Sequence, residues 1–265
     1  MPSILLPLEI EETILDVLSE DDEGHSTLKM CSLVCHAFLP ICRKHIFRNI
    51  VLNDIVTCYE RSPPIIHAFA RLLRKTPEIA DYIRKLDYNI RITELTTTSS
   101  QSIQESLKRI SRLEFLTILT WRYEIDWSNN PIRPALLHLL HLPTLTHFSV
   151  HANNFVVSDL IPCVNLKYLE IGFYSTVAAK ITFPEPLPEL PVQLNRFEAG
   201  IRDPSRSAIM MLWTARRPDG QPIIDFESLP EIKVDILDGR ASQELFRCCH
   251  LLTNAHIFCM WYPLS

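Results

Sequence analysis

Glycine is scarce in this 265-residue chain: there are five, Gly24, Gly172, Gly200, Gly220 and Gly239, and they stand far apart. Backbone cradles for phosphate and sharp strand-to-helix turns need clustered glycines. A P-loop, a dinucleotide-binding fingerprint and a nucleophile elbow are therefore excluded together. Excess positive charge is also missing. Lys and Arg number 26 against 31 Asp and Glu, a formal net charge of −5, which gives no electrostatic case for nucleic acid or an anionic membrane as partner. No stretch reaches the roughly 18 to 20 apolar residues that a membrane span requires. The opening Met1-Pro2-Ser3-Ile4-Leu5-Leu6-Pro7 has no basic segment and meets Glu9, Glu11 and Glu12 before a signal-type apolar run is complete. The expectation is an intracellular protein of the cytosol or nucleus.

What the chain does have is apolar mass, 47% of its residues, enough for a sizeable core. Cys31, Cys35, Cys42, Cys163, Cys248, Cys249 and Cys259 lie inside apolar patterns, and in a reducing compartment they read as buried free thiols. Two groups have the residue types of a zinc site: His138, His141, His147 and His151, and Cys31, Cys35, Cys42 and His45. Neither contains paired Cys-x-x-Cys units or a His-Glu-x-x-His arrangement, so no metal and no cofactor is expected. The serines lie in caps and polar loops, which leaves no nucleophile in a strained turn, and a non-catalytic protein is the better reading.

Three short helices fit in the first 50 residues. Pro7 opens the first, with Glu9, Glu11 and Glu12 in its first turn and Ile10, Ile14, Leu15 and Leu18 at helical spacing. After the polar stretch 21–25, Ser26 is a candidate N-cap for a second helix carrying Leu28, Cys31, Leu33 and Val34. The third carries Phe38, Leu39, Ile41, Cys42, His45, Ile46 and Phe47, with Pro40 confined to its first turn. So small a unit has more apolar side chains than one core can use, and some of them should face a partner. A connector over 51–80 follows, with Ile50-Val51-Leu52 as a short strand and a helix from Ile65 to Leu73.

Beyond it, over 81–265, a pattern recurs of three apolar residues spaced by two and then one. It occurs as Ile83/Leu86/Tyr88, Leu113/Leu116/Ile118, Leu145/Phe148/Val150, Leu166/Leu169/Ile171, Leu194/Phe197/Ala199, Leu229/Ile232/Val234 and Leu252/Ala255/Ile257. The starts are 30, 32, 21, 28, 35 and 23 residues apart, an irregular spread around leucine-rich-repeat length. Helical segments are expected between them at 102–113, 133–141, 157–163, 205–214 and 242–251. Alternating strand and helix of this kind predicts an α/β fold, a curved leucine-rich-repeat-like solenoid with a parallel strand ladder. Pro184, Pro186, Pro188 and Pro191 make 181–191 an extended loop.

The series Leu6-Pro7-Leu8-Glu9-Ile10, Ile14-Leu15, Leu18, and then Leu33-Val34-Cys35 with Phe38, resembles the F-box pattern, with Phe38 standing where many members have Trp. Together with His45-Ile46-Phe47-Arg48 and the later repeats, it is similar to fungal F-box proteins that carry degenerate leucine-rich repeats. The resemblance covers roughly 4–48. It implies a three-helix module over 1–50 that binds a Skp-family linker subunit and through it a cullin-RING ubiquitin ligase. By position, Leu6, Pro7, Ile10, Ile14, Leu15, Leu18, Leu28, Val34 and Phe38 would form that interface and its supporting core. The repeats would then recruit an unknown protein substrate. The residues alternating with the buried ones share one strand face and are the candidates for that contact: His147, Ser149 and His151; Tyr168 and Glu170; Arg196 and Glu198; Glu231, Lys233 and Asp235. The alternative reading is a repeat protein with no ligase role whose first helices only cap the repeats; a cap should bury its apolar stripe on its own chain.

Overall fold

A computed structural model of the chain describes residues 7–20, 24–34, 36–53, 65–89, 97–119, 126–172, 186–201, 214–236 and 255–259, together with Leu212. Three helices come first: α1 (Leu8–Glu20), α2 (Gly24–Val34) and α3 (Phe38–Ile46). The Pro7 carbonyl accepts the N–H groups of Ile10 and Glu11 at 3.0 and 3.2 Å, so the proline sits at the start of α1 and not within it. Helix α2 begins two residues ahead of Ser26. A Cβ on Gly24 would run into the Leu18 carbonyl, and the missing side chain is what lets α2 start hard against the end of α1. Pro40 is the third residue of α3, where its absent N–H breaks no intrahelical bond. Leu15, Leu28, Ile41 and Cys42 form a small buried core, with Leu18, Cys31, Phe38 and Ile46 packed around it.

The remainder is α/β. Eight strands, β1 (Asn49–Asn53), β2 (Lys85–Asn89), β3 (Phe115–Ile118), β4 (His147–Val150), β5 (Tyr168–Ile171), β6 (Arg196–Ile201), β7 (Glu231–Ile236) and β8 (Ala255–Cys259), form one open parallel sheet in simple sequence order. The second and third residues of the seven apolar triplets lie, in order, on β2 to β8. The sheet also has a strand that those triplets do not include, β1, which pairs in register with β2 from Asn49↔Lys85 to Asn53↔Asn89. Phe47, Ile50 and Leu52 repeat the same apolar spacing. Phe47 also caps α3, so the first helices run straight into the first strand.

The junctions repeat as closely as the strands. Lys85, Phe115, His147, Tyr168 and Arg196, with the residue before each, send two successive N–H groups to one carbonyl, that of Arg48, Arg84, Glu114, Thr146 and Lys167 in turn. Such sharing satisfies the donors where the chain turns into each strand. On the other side lie α4 (Ile65–Lys75), α5 (Thr97–Leu107), α6 (Arg133–Leu140) and a 3₁₀ turn at Val157–Leu160 in place of the expected fourth helix. That segment is short, and Cys163 and Leu166 must already turn back into β5. Helix α4 buries Ile66, Phe69, Ala70 and Leu73, one stripe at helical spacing. Between strands and helices runs one continuous core that includes Leu86, Leu116, Phe148, Leu169, Phe197 and Ile232.

Within that core is one ionic knot. Buried Asp159 accepts the Trp127 indole N–H at 2.7 Å and Arg133 Nη2 at 2.9 and 2.8 Å on its two oxygens, while its own carbonyl meets His141 Nε2 at 2.8 Å. Most of the expected helix at 205–214, all of that at 242–251 and the first half of the proline loop lie outside the described residues. Residues 186–191 have no regular structure, as their prolines require.

Candidate functional site

Two surfaces bring the expected residues together. The first is on the N-terminal helices. The α-helical repeat turns Leu15 and Leu28 inward and leaves Ile10, Ile14 and Val34 outside, 46, 47 and 72% exposed. Leu18 and Phe38 are half-buried against the small core, and Pro7 is exposed. Leu6 lies outside the described residues. Three exposed apolar residues join the set: Val17, seven residues after Ile10, and Met30 and Leu33, which share a face of α2 with Val34. The i, i+3, i+4 and i+7 spacing of these residues is the signal that would have found them.

The second surface is the sheet face opposite the core. Register aligns Asn49, Lys85, Phe115, His147, Tyr168, Arg196 and Glu231 in one row, and Val51, Asp87, Thr117, Ser149, Glu170, Glu198 and Lys233 in the next. Every candidate on β4 to β7 thus falls on one face. Asp235 pairs with Gly200 in the ladder, and its side chain lies outside the described residues. His151 follows β4 directly.

Along the first row the side chains stack. The Phe115 and His147 rings lie 4.2 Å apart and 27° from parallel, His147 and Tyr168 are 5.6 Å apart, and the Arg196 guanidinium sits 5.8 Å from the Tyr168 ring centre. Burial holds the His147 imidazolium down, and the ring is neutral near pH 7, with Nδ1 placed 2.8 Å from Thr146 Oγ1. Burial and then Glu170 push the Tyr168 phenol up, so it stays protonated and donates to Glu170 Oε2 at 3.4 Å. In the second row Glu170 also accepts from Ser149 Oγ at 2.8 Å and faces His151 Nε2 at 3.6 Å. The His151 contact is the main cause that holds its carboxyl below the usual range, against burial. Arg196 pairs with Glu198 and, at 3.4 Å, with Glu231, and Lys233 lies 3.8 Å from Glu198.

Ser149 and His151 both turn to Glu170, so the serine lacks the imidazole contact that would activate it. His138 and His141 are spent on backbone carbonyls, of Ile110 at 3.3 Å and of Asp159 at 2.8 Å. Cys42 and Cys163 are buried, and Cys31 is half-buried. Among the described residues no three His, Cys, Asp or Glu side chains are placed to hold a metal ion. Nor is any described helix long and apolar enough to cross a membrane.

An open groove of about 350 Å³ lies over β3 to β5, lined by Phe115, His147, Tyr168 and Glu170 among others. A second recess, of about 400 Å³, adjoins it toward the N-terminal helices and is lined by His45, Arg48, Arg84, Lys85, Glu114 and Phe115. Lys85, Phe115, Arg48 and Arg84 were not among the candidates read from sequence. The same two-residue alternation on β2 and β3 would have found the first two. Set against models of protein families the sequence matches none, and no curated protein matches it.

Proposed function

We propose that the chain is the substrate-recognition adaptor of an SCF-type cullin-RING ubiquitin ligase. Helices α1 to α3 are its F-box module, which grips a Skp-family linker. The parallel sheet is an irregular leucine-rich-repeat-like solenoid whose polar and aromatic face holds a protein target. The protein itself does no chemistry. It holds target lysines near a loaded conjugating enzyme and converts a rare encounter into a local one. On this reading it works in the cytosol or nucleus.

The observation that carries the proposal is the exposed stripe. A module with four buried core residues among those described keeps Ile10, Ile14 and Val17 on α1, and Met30, Leu33 and Val34 on α2, in solvent. A helical cap would turn such residues onto its own repeats, and exposed apolar surface on a small polar-rimmed unit is what a protein partner covers.

The test is co-expression with a Skp-family linker, read by pull-down and light scattering, for the wild type and for Ile14→Asp combined with Val34→Asp. Both side chains are exposed, so the variant should melt like the wild type. A one-to-one complex is expected, weakened by the variant at least roughly 30-fold, or about 2 kcal/mol, as for anchors at an interface centre. Val51→Asp, on the sheet, should bind the linker normally. If the folded wild type ignores the linker, the adaptor reading fails and the helices become a cap on a repeat protein of another kind.

A further inference from the structure

The groove and the recess beside it share the lining residues Lys85 and Phe115, and together, as one channel surface, they cross the strands from β1 to β5. Its two ends differ in chemistry. At the N-terminal end three cations, Arg48, Arg84 and Lys85, meet three carboxylates. Glu114 lies 3.6 Å from Arg84 and Asp87 lies 3.3 Å from Lys85. The third, Asp16, lies 2.9 Å from His45, so the charges balance in number, and Arg48 is the exposed cation with no ion pair among the described residues. His45 does not add to the count, since burial holds its imidazolium down. The middle of the channel is the Phe115, His147 and Tyr168 stack, with Phe115 among the large apolar side chains that remain exposed. Parallel strands stand about 4.8 Å apart, so β1 to β5 span about 19 Å, the length of roughly six extended residues.

We propose that this channel seats an extended segment of the target protein, in which an acidic side chain lies against Arg48 and Lys85 and an aromatic side chain, three to five residues away, lies on Phe115, His147 and Tyr168. Arg48, the cation with no ion pair among the described residues, selects a carboxylate. The near-parallel rings offer a flat face to stack on, and neutral His147 keeps that face free of charge repulsion. Arg48 recognises the carboxylate through its planar fork, and Lys85 adds a point charge from the next strand. This rests on the adaptor reading for its biological meaning and names the class of segment that the substrate face would take.

The test uses the purified full-length chain and fluorescein-labelled octapeptides that carry Trp four positions after Asp, Lys or phosphoserine, read by fluorescence anisotropy. The Asp peptide is expected to bind at least tenfold more tightly than the Lys peptide and than an Asp peptide with Ala in place of Trp. Arg48→Glu should reverse the Asp and Lys ranking, and Phe115→Ala should weaken both Trp peptides. Equal binding of all peptides, or an unchanged ranking in Arg48→Glu protein that keeps its near-ultraviolet dichroism, overturns the proposal. Binding by the phosphoserine peptide alone overturns the carboxylate assignment. Linker binding is measured on the same preparations. Peptide binding without linker binding sinks the ligase reading and leaves the channel, and the reverse sinks the channel alone.

Discussion

Leu28→Ala isolates the N-terminal module. The Leu28 side chain is 2% exposed and, among the described residues, is one of four buried in that core, with Leu15, Ile41 and Cys42. Removing a buried leucine to alanine costs about 2 to 5 kcal/mol through lost transfer energy and the cavity left behind. A core in so small a unit supplies no more than about 3 to 5 kcal/mol. The substitution should therefore spend most of what keeps α1 to α3 folded, without touching the core beneath β2 to β6. Hydrogen exchange read by mass spectrometry gives both regions at once. A loss of 3 kcal/mol is a drop in protection of roughly a hundredfold in the helices, with protection in β3 to β5 unchanged. If the module binds a linker, that linker at a hundredfold excess over its Kd should restore about 2.7 kcal/mol. Equal loss of protection in helices and strands would refute the reasoning, since the two cores would then be one cooperative unit. So would helices that keep their protection.

Asp159→Ala leaves the Trp127 indole N–H and the Arg133 guanidinium without their shared acceptor and should cost about 2 to 4 kcal/mol. Asp159→Asn keeps an acceptor for Trp127 and should cost about half as much, a ranking that thermal melts can read; equal losses would count against the acceptor role. Stability should also fall on acidification. The folded state holds the imidazolium forms of His45 and His147 down, so it binds fewer protons than the unfolded chain as the pH drops below the ordinary imidazole value of 6.5. Glu170, held below its ordinary 4.5, adds a further loss as the pH falls through its lower folded value. Urea midpoints at pH 7.5 and 5.5 test this, and His147→Phe, which keeps a ring in the stack, should lose less than the wild type; a higher midpoint at pH 5.5 would reverse the sign.

The repeating part of the fold was legible because a strand with one buried face writes its alternation into the sequence. From β2 to β7 each apolar triplet places two residues in the sheet core and one just ahead of the strand, as Leu113, Leu116 and Ile118 do. The short strand at Ile50-Val51-Leu52 was legible, but its place as the first strand of the ladder was hidden by a double role. Phe47 fits the end of α3 equally well, and nothing in a one-dimensional pattern says that one residue can end a helix and begin a repeat. The 3₁₀ turn at Val157–Leu160 was hidden for a different reason. Its apolar residues are those of a helix, and only the distance back to β5 shortens it.

The functional surfaces were legible to different depths. On α1 the choice between Leu15 inward and Ile14 outward depends on where α2 and α3 dock. A stripe read from spacing therefore contains both exposed residues and buried support, and only the packed structure separates them. On the sheet, alternation assigns a face to every strand residue but does not say which of them stand over one recess. Arg48 joins the channel because its carbonyl anchors the entry to β2, which holds it one step before Asn49 in the first row. Its position is a product of backbone register across 36 residues, and a charge that is unremarkable in the sequence becomes, once the strands pair, a cation at the mouth of an aromatic groove with no ion pair among the described residues.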